Sequence, residues 1–335
     1  MDNTFEEKIN AYDVRPARER VDKIVTVLNE NPHLRRLRFM YAALSDLEQR
    51  LLFDAILRSD VDNLDLDNLD LTASEYWKVV FSSKKLTRLS LVDLRSQNEE
   101  TFFNKLRGNT ILRSLQLRDS RCVEKPNYWA IRHGAPYPEK VYYWSIISLV
   151  AALQSNMALE ELDLDMYRFE DDSDFAIAKW LSTNPPRLTS FALEHHSFDL
   201  EHVEYILQAV GVNTVLQRLE IDSERFDNII DNVAKSRTLR ELKVTGNEHT
   251  DVKPLFRWLA HQSKLEKLSV QGCYSHVLDE VHLIARAIKS NTTLRHLEVA
   301  CVDNLSDDDD YVDISPIREA MDVNRTLEFV SFDCK

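Results

Sequence analysis

The pattern LxxLxL, or a conservative variant of it, returns eleven times along this chain, and no other feature limits the possible folds as sharply. Its first positions are Leu34, Val61, Leu86, Leu112, Leu159, Leu188, Leu216, Leu239, Leu265, Leu294 and Leu327. The intervals between them are 27, 25, 26, 47, 29, 28, 23, 26, 29 and 33 residues, each long enough for one helix and one strand. A unit this small cannot bury its apolar face alone. Neighbouring units must therefore stack into a solenoid with a shared core.

The inside of one repeat shows why. In Leu159-Glu160-Glu161-Leu162-Asp163-Leu164, Leu162 and Leu164 are two apart and face one side of a short strand. Glu161, Asp163 and Asp165 alternate with them and face the other side. Ile146 to Leu153 carries apolar residues at helical spacing, so one stripe of that helix packs inward. The same reading places helices over Phe175 to Leu181, Tyr205 to Val210, Ile229 to Val233, Val252 to Leu259 and Val281 to Ile288. The strand residues Leu219, Ile221, Leu242, Val244, Leu268, Val270, Leu297 and Val299 are expected to be buried along one parallel sheet with Leu162 and Leu164.

The helix-to-strand junction Ser290-Asn291-Thr292-Thr293-Leu294-Arg295-His296-Leu297-Glu298-Val299 resembles that of the leucine-rich repeat family, and within it the ribonuclease-inhibitor-like subclass. The resemblance covers residues 20 to 335. It implies an α/β leucine-rich-repeat solenoid of about 11 repeats, a curved horseshoe with a parallel sheet on its concave side and helices on its convex side. Residues 1–33 are then an N-terminal segment whose helix, Ala17 to Asn29, caps the first strand. Residues 34–335 are the solenoid, with insertions at 118–145 and 303–313.

The chain departs from the family where Asn or Cys usually stands, eight residues after the first Leu. Ala42, Leu69, Leu94, Ser120, Tyr167, His196, Glu224, Asn247, Cys273 and Val302 occupy that place, and only Asn247 and Cys273 fit. The polar ladder that satisfies backbone groups at that turn is mostly missing. Phe169, Phe198 and Phe226, two positions later, read as an aromatic spine filling the gap.

Charge and motifs narrow the function. A formal charge of −14 argues against nucleic acid, whose phosphates require clustered Lys and Arg. No apolar run is long enough to span a membrane, and Met1 to Lys8 lacks the order of a secretory signal. Cys122, Cys273, Cys301 and Cys334 are few and irregularly spaced, which suits a reducing compartment and a cytoplasmic location. None of the five glycines forms a phosphate-cradling loop, and neither HExxH nor CxxC occurs. His195 and His196 adjoin on a strand end, point to opposite sides and do not share an ion. Asp303 to Asp313 reads as a solvated loop, without the glycine and ligand spacing of an EF-hand. No catalytic, cofactor or metal residues are assigned, and the expectation is a protein that is not an enzyme.

Two surfaces remain as binding candidates. The outward strand positions Glu161, Asp163, Asp165, Glu194, Glu220 and Asp222 are all carboxylates, expected to repel one another unless a partner or salt offsets them. Reversing their charge is therefore expected to relieve strain. The insertion 118–145 is rich in Tyr, Trp and Arg, the residue types of binding hot spots, with Tyr128, Trp129, Tyr143 and Trp144 as anchors. Together they imply a scaffold or adaptor for a basic protein partner. Two alternatives stay open: a regulator of a small GTPase, with Arg36, Arg38 or Arg88 to supply an arginine, and the recognition module of a cytoskeletal or immune-signalling adaptor. Phe329-Val330-Ser331-Phe332 is expected to be an open edge strand that supports self-association.

Overall fold

Strands and helices alternate through all the described residues, as a period of one helix plus one strand requires. The computed structural model describes residues 4–7, 17–31, 33–42, 45–69, 75–92, 99–119, 145–166, 172–195, 200–222, 226–247, 250–262, 264–274, 280–302 and 313–334. They fall into two compact units, Met1–Ser173 and Asp174–Lys335.

The first unit holds β1 (Thr4–Glu7), α1 (Ala17–Glu30), β2 (Arg36–Ala42), α2 (Asp46–Arg58), β3 (Asn63–Leu69) and α3 (Glu75–Ser82). It continues with β4 (Arg88–Val92), α4 (Glu99–Gly108), β5 (Ser114–Asp119), α5 (Ile146–Leu153) and β6 (Glu161–Met166). Each strand pairs in parallel with the next. Leu37 and Phe39, Leu64 and Leu66, Leu89 and Leu91, Leu115 and Leu117, and Leu162 and Leu164 form the inward rows, none more than 5% exposed. Burying each such side chain contributes about 1.5–3 kcal/mol. Between the helices the core is aromatic: Phe53 stacks on Tyr76 at 5.3 Å, and Phe102 meets Trp77, Phe81 and Phe103 edge-on.

The N-terminal segment differs from expectation in one respect. Helix α1 forms where foreseen and buries Val21, Ile24 and Leu28. It does not end the sheet, because β1 precedes it and pairs with β2, Thr4 opposite Arg36 through Glu7 opposite Phe39. Edge backbone groups of β2 thereby gain partners that a helix cannot offer.

The second unit opens within α6 (Ser173–Ser182) and runs through β7 (Ser190–His195), α7 (Leu200–Val212), β8 (Arg218–Asp222), α8 (Phe226–Val233), β9 (Glu241–Thr245) and α9 (Lys253–Leu259). It continues with β10 (Lys267–Tyr274), α10 (Val281–Ser290), β11 (His296–Val302), α11 (Ser315–Val323) and β12 (Phe329–Cys334). These strands are also parallel neighbours in chain order. Leu219, Ile221, Leu242, Val244, Leu268, Val270, Leu297 and Val299 are all at most 2% exposed. All seven helices read from the sequence are present, with ends that differ from the reading by at most five residues. Each unit is thus an α/β leucine-rich-repeat solenoid.

Asparagines three residues before the LxxLxL anchors tie the repeats together. The side-chain oxygen of Asn291 accepts from the N–H groups of Thr293 and Leu294, while its amide donates to the carbonyls of Leu259 and Gln262 in the preceding repeat. Asn156 and Asn324 make the same four bonds in their own repeats. Asn213 makes three, reaching back to Leu181. Where serine takes the place, as at Ser83 and Ser236, the hydroxyl accepts both N–H groups of its own turn. The polar ladder for which the sequence supplies only Asn247 and Cys273 eight residues after the anchors therefore has a counterpart before them.

Candidate functional site

The outward side of each strand carries three side chains, and strand register sets them in rows across the sheet. In the first unit the middle row reads Arg38, Asp65, Ser90, Gln116 and Asp163. Ser90 donates to Gln116 at 2.6 Å, Gln116 donates to Asp163, and Arg118 donates to the same carboxylate oxygen at 3.0 Å. Glu161 lies 3.8 Å from Arg88, across the small Ser114 between them. Asp165 is buried, at 6% exposure. Arg36 reaches Asp65 through two guanidinium nitrogens, at 2.8 and 3.2 Å.

In the second unit Glu220 stands opposite Lys243 in register and pairs with it, and Arg218 approaches the same carboxylate at 3.6 Å. Glu194 and Asp222 follow directly after Leu193 and Ile221, the last registered pair of β7 and β8. Both are half-buried. Among the described residues, Glu194 has no ion-pair partner.

These contacts correct one expectation. The outward carboxylates do not simply repel one another, because Arg88, Arg118, Arg218 and Lys243 neutralise Glu161, Asp163 and Glu220 from adjacent positions. Composition concealed this, since a net charge of −14 gives no hint of where 42 Lys and Arg lie in register. Charge reversal at Asp163 or Glu220 removes an attraction instead of relieving a repulsion. Of the arginines weighed for a GTPase regulator, Arg36 is bonded to Asp65 and Arg88 faces Glu161.

Tyr128, Trp129, Tyr143 and Trp144 lie outside the described residues, as do Phe169 and Phe198. Phe226, the third member of the expected spine, is buried at the start of α8. On either side of the insertion the described residues stop at Asp119, the last of β5, and resume at Ser145, whose hydroxyl accepts from the Ser148 N–H at the start of α5. The loop 303–313 is described only at Asp313. Hydrogen bonds from Ser315 hold that carboxyl below the usual aspartate range. The side chains of His195, His196 and His202 also lie outside.

A second set of charges went unrecognised. It occupies the position immediately after eight of the eleven anchors, where Arg35 faces Asp62 at 3.6 Å and Arg113 faces Glu160 at 3.8 Å. In the second unit Arg240 faces Glu266 at 3.7 Å and Arg295 bonds Glu328 at 2.9 Å. The alternation was visible in the sequence once residues were aligned on their anchors. Beside this row, residues leading into β9, β10, β11 and β12 line an open pocket of about 540 Å³, to which Lys264 and Arg325 add further positive charge. Nearer the N-terminus, Lys85 bonds Asp60 and holds its carboxyl below the usual aspartate range. Glu280, 3.0 Å from Lys253, raises that ammonium above its ordinary value.

No family model and no curated protein sequence matches this chain. Among solved structures it is similar to the actin-binding site 2 of leiomodin-1, at 18% identity over 46% of this chain and 92% of that one, with a TM-score of 0.33. It is similar to a chain of the yeast Rad7–Elc1 complex, at 17% identity over 84% of this chain and 73% of that one, with a TM-score of 0.43. A chain of the TLR13–ssRNA13 complex aligns at 15% identity over 91% of this chain and 46% of that one, with a TM-score of 0.42. These similarities are too low to carry a partner or an activity across. Among the described residues no helix is long and apolar enough to cross a membrane, and no group of three or more His, Cys, Asp or Glu could hold a metal ion.

Proposed function

We propose that this chain is a non-catalytic scaffold that binds a basic protein partner on the solvent side of its sheet. The observation that supports this reading most is the fixed placement of Glu161, Asp163, Glu194, Glu220 and Asp222 on rigid parallel strands, partly exposed and above a closed apolar core. Prepositioned carboxylates lose little side-chain entropy on meeting a cationic surface. Arginines and a lysine beside Glu161, Asp163 and Glu220 offset their repulsion, so a partner reads a pattern of both signs. Such patterns select a register and reject like-charged competitors. Tyr128, Trp129, Tyr143 and Trp144 are the anchors of this reading. Each desolvated aromatic contributes about 2 kcal/mol or more to a complex.

The test is affinity capture with the whole chain, identification of the retained protein by mass spectrometry, and repetition with purified components. Trp129→Ala and Tyr143→Ala are each expected to speed dissociation by about tenfold or more. A partner whose dissociation ignores both substitutions and whose binding ignores the strand carboxylates would contradict the reading.

A further inference from the structure

The pocket before β9, β10, β11 and β12 has a charge balance that differs from the rest of the chain. Four cations, Arg240, Lys264, Arg295 and Arg325, line it with two carboxylates, Glu266 and Glu328. Arg240 and Arg295 are taken up by those carboxylates. Among the described residues neither Lys264 nor Arg325 has an ion-pair partner, so two positive charges are left over. They flank the middle loop from one repeat on either side, and adjacent strands are about 4.8 Å apart. Both side chains therefore reach the space above Thr292 and Thr293.

The hydroxyls divide into two kinds. Thr293 donates to the Leu265 carbonyl and Thr326 to the Asn324 side chain. Thr292, exposed on the same loop, has no hydrogen-bond partner among the described residues and can donate into the pocket.

We propose that this pocket binds the phosphomonoester of a phosphorylated peptide segment, on phosphoserine or phosphothreonine. A phosphomonoester carries about −1.5 to −2 charges at neutral pH and three acceptor oxygens, which matches two uncompensated cations and a free hydroxyl. An aspartate or glutamate supplies only one charge. The space of 540 Å³ is much larger than a phosphate group and admits the peptide that bears it. A nucleic acid requires a longer basic track than four loops provide and would meet Glu266 and Glu328. An anionic membrane surface would be repelled by a chain of net charge −14. The site does not depend on whether the strand face docks a partner.

The experiment uses the full chain and immobilised degenerate peptide libraries with a fixed central phosphoserine or phosphothreonine, beside matched Ser and Glu libraries. Retention on the phosphorylated libraries is expected to exceed both controls at least tenfold. The double substitution Lys264→Ala with Arg325→Ala is expected to lower it at least tenfold with an unchanged thermal midpoint. Arg286→Ala with Lys289→Ala, on the exposed side of α10, should leave it intact. Equal retention on Glu libraries, or full retention by the Lys264 and Arg325 variant, overturns the proposal. So does displacement by inorganic phosphate at the same concentration as by phosphopeptide, which would mark a free-anion site. Capture by vesicles containing phosphatidylinositol 4-phosphate, with no peptide retained, overturns it as well.

Discussion

Asn291 donates from its side-chain amide to the backbone carbonyl of Leu259, at 2.8 Å and one repeat away. The same side chain closes its own turn by accepting from Thr293 and Leu294, and it is 2% exposed. Replacing it with alanine strands two carbonyls, one buried and one part-buried, and two N–H groups at once. Each unsatisfied buried group costs about 1–3 kcal/mol, although water and local relaxation recover part of the total. Asn291→Ala is expected to destabilise the chain by about 2–4 kcal/mol in urea unfolding. Asn31→Ala, at an exposed residue whose amide bonds only Val27, should cost under about 1 kcal/mol. Equal effects at the two positions would refute the role given to the asparagine ladder.

Leu268 is 0% exposed near the start of β10, and Leu268→Ala is expected to cost about 2–5 kcal/mol. Repeats contact only their neighbours, so the loss should spread locally first. Hydrogen exchange should show protection falling in β9, β10 and β11 before it falls in β2 to β5. Uniform loss throughout would show that the two compact units unfold together.

Two glycines should respond oppositely to alanine. A Cβ at Gly211 would lie 2.8 Å from the Asn232 carbonyl oxygen, so α7 and α8 must separate. Overpacking of this kind costs about 1–3 kcal/mol. At Gly108 a Cβ meets nothing within 4 Å, and alanine should stabilise by up to about 1 kcal/mol through lower unfolded-chain entropy. Thermal midpoints of the two variants check the sign.

The Asp60 carboxyl titrates below the ordinary aspartate value, first because Lys85 hydrogen-bonds it and second through that ammonium's charge. A carboxyl depressed in the folded state contributes stability above its unfolded pKa and loses it as pH falls through the folded value. Lys85→Ala should therefore return Asp60 toward the ordinary value. The acid limb of the stability profile should flatten over the same interval. Carboxyl-detected NMR titration reads the first effect directly. An unmoved Asp60 would remove Lys85 as the cause.

What the sequence disclosed follows from how each property is encoded. Burial at Leu162, Leu164, Leu268 and Val270 was legible because a period of two carries it locally. The asparagine ladder was harder to see. Asn156 and Asn291 looked like ordinary polar turn residues, and their importance lies in carbonyls one repeat away. Strand β1 was missed because Thr4 to Glu7 lacks the LxxLxL pattern, and its parallel register with β2 has no local sequence signal. Of the carboxylates read as outward, Asp165 is buried while the others are partly exposed, and their partners depend on register: Lys243 opposes Glu220 only because β8 and β9 align as they do.

The most direct test of the scaffold account is the association rate of the captured partner as a function of ionic strength. It compares the native chain with a variant carrying Glu161→Gln, Asp163→Asn, Glu194→Gln and Glu220→Gln. Neutral isosteres keep much of the hydrogen bonding to Arg118 and Lys243, and exposed ion pairs contribute only about 0–1 kcal/mol each, so the fold should persist. Asp165 is left unchanged because it is buried. The account expects association to slow by about tenfold or more at low salt and its salt dependence to flatten. An unchanged rate with an unchanged salt slope would show that the partner does not dock on the strand face.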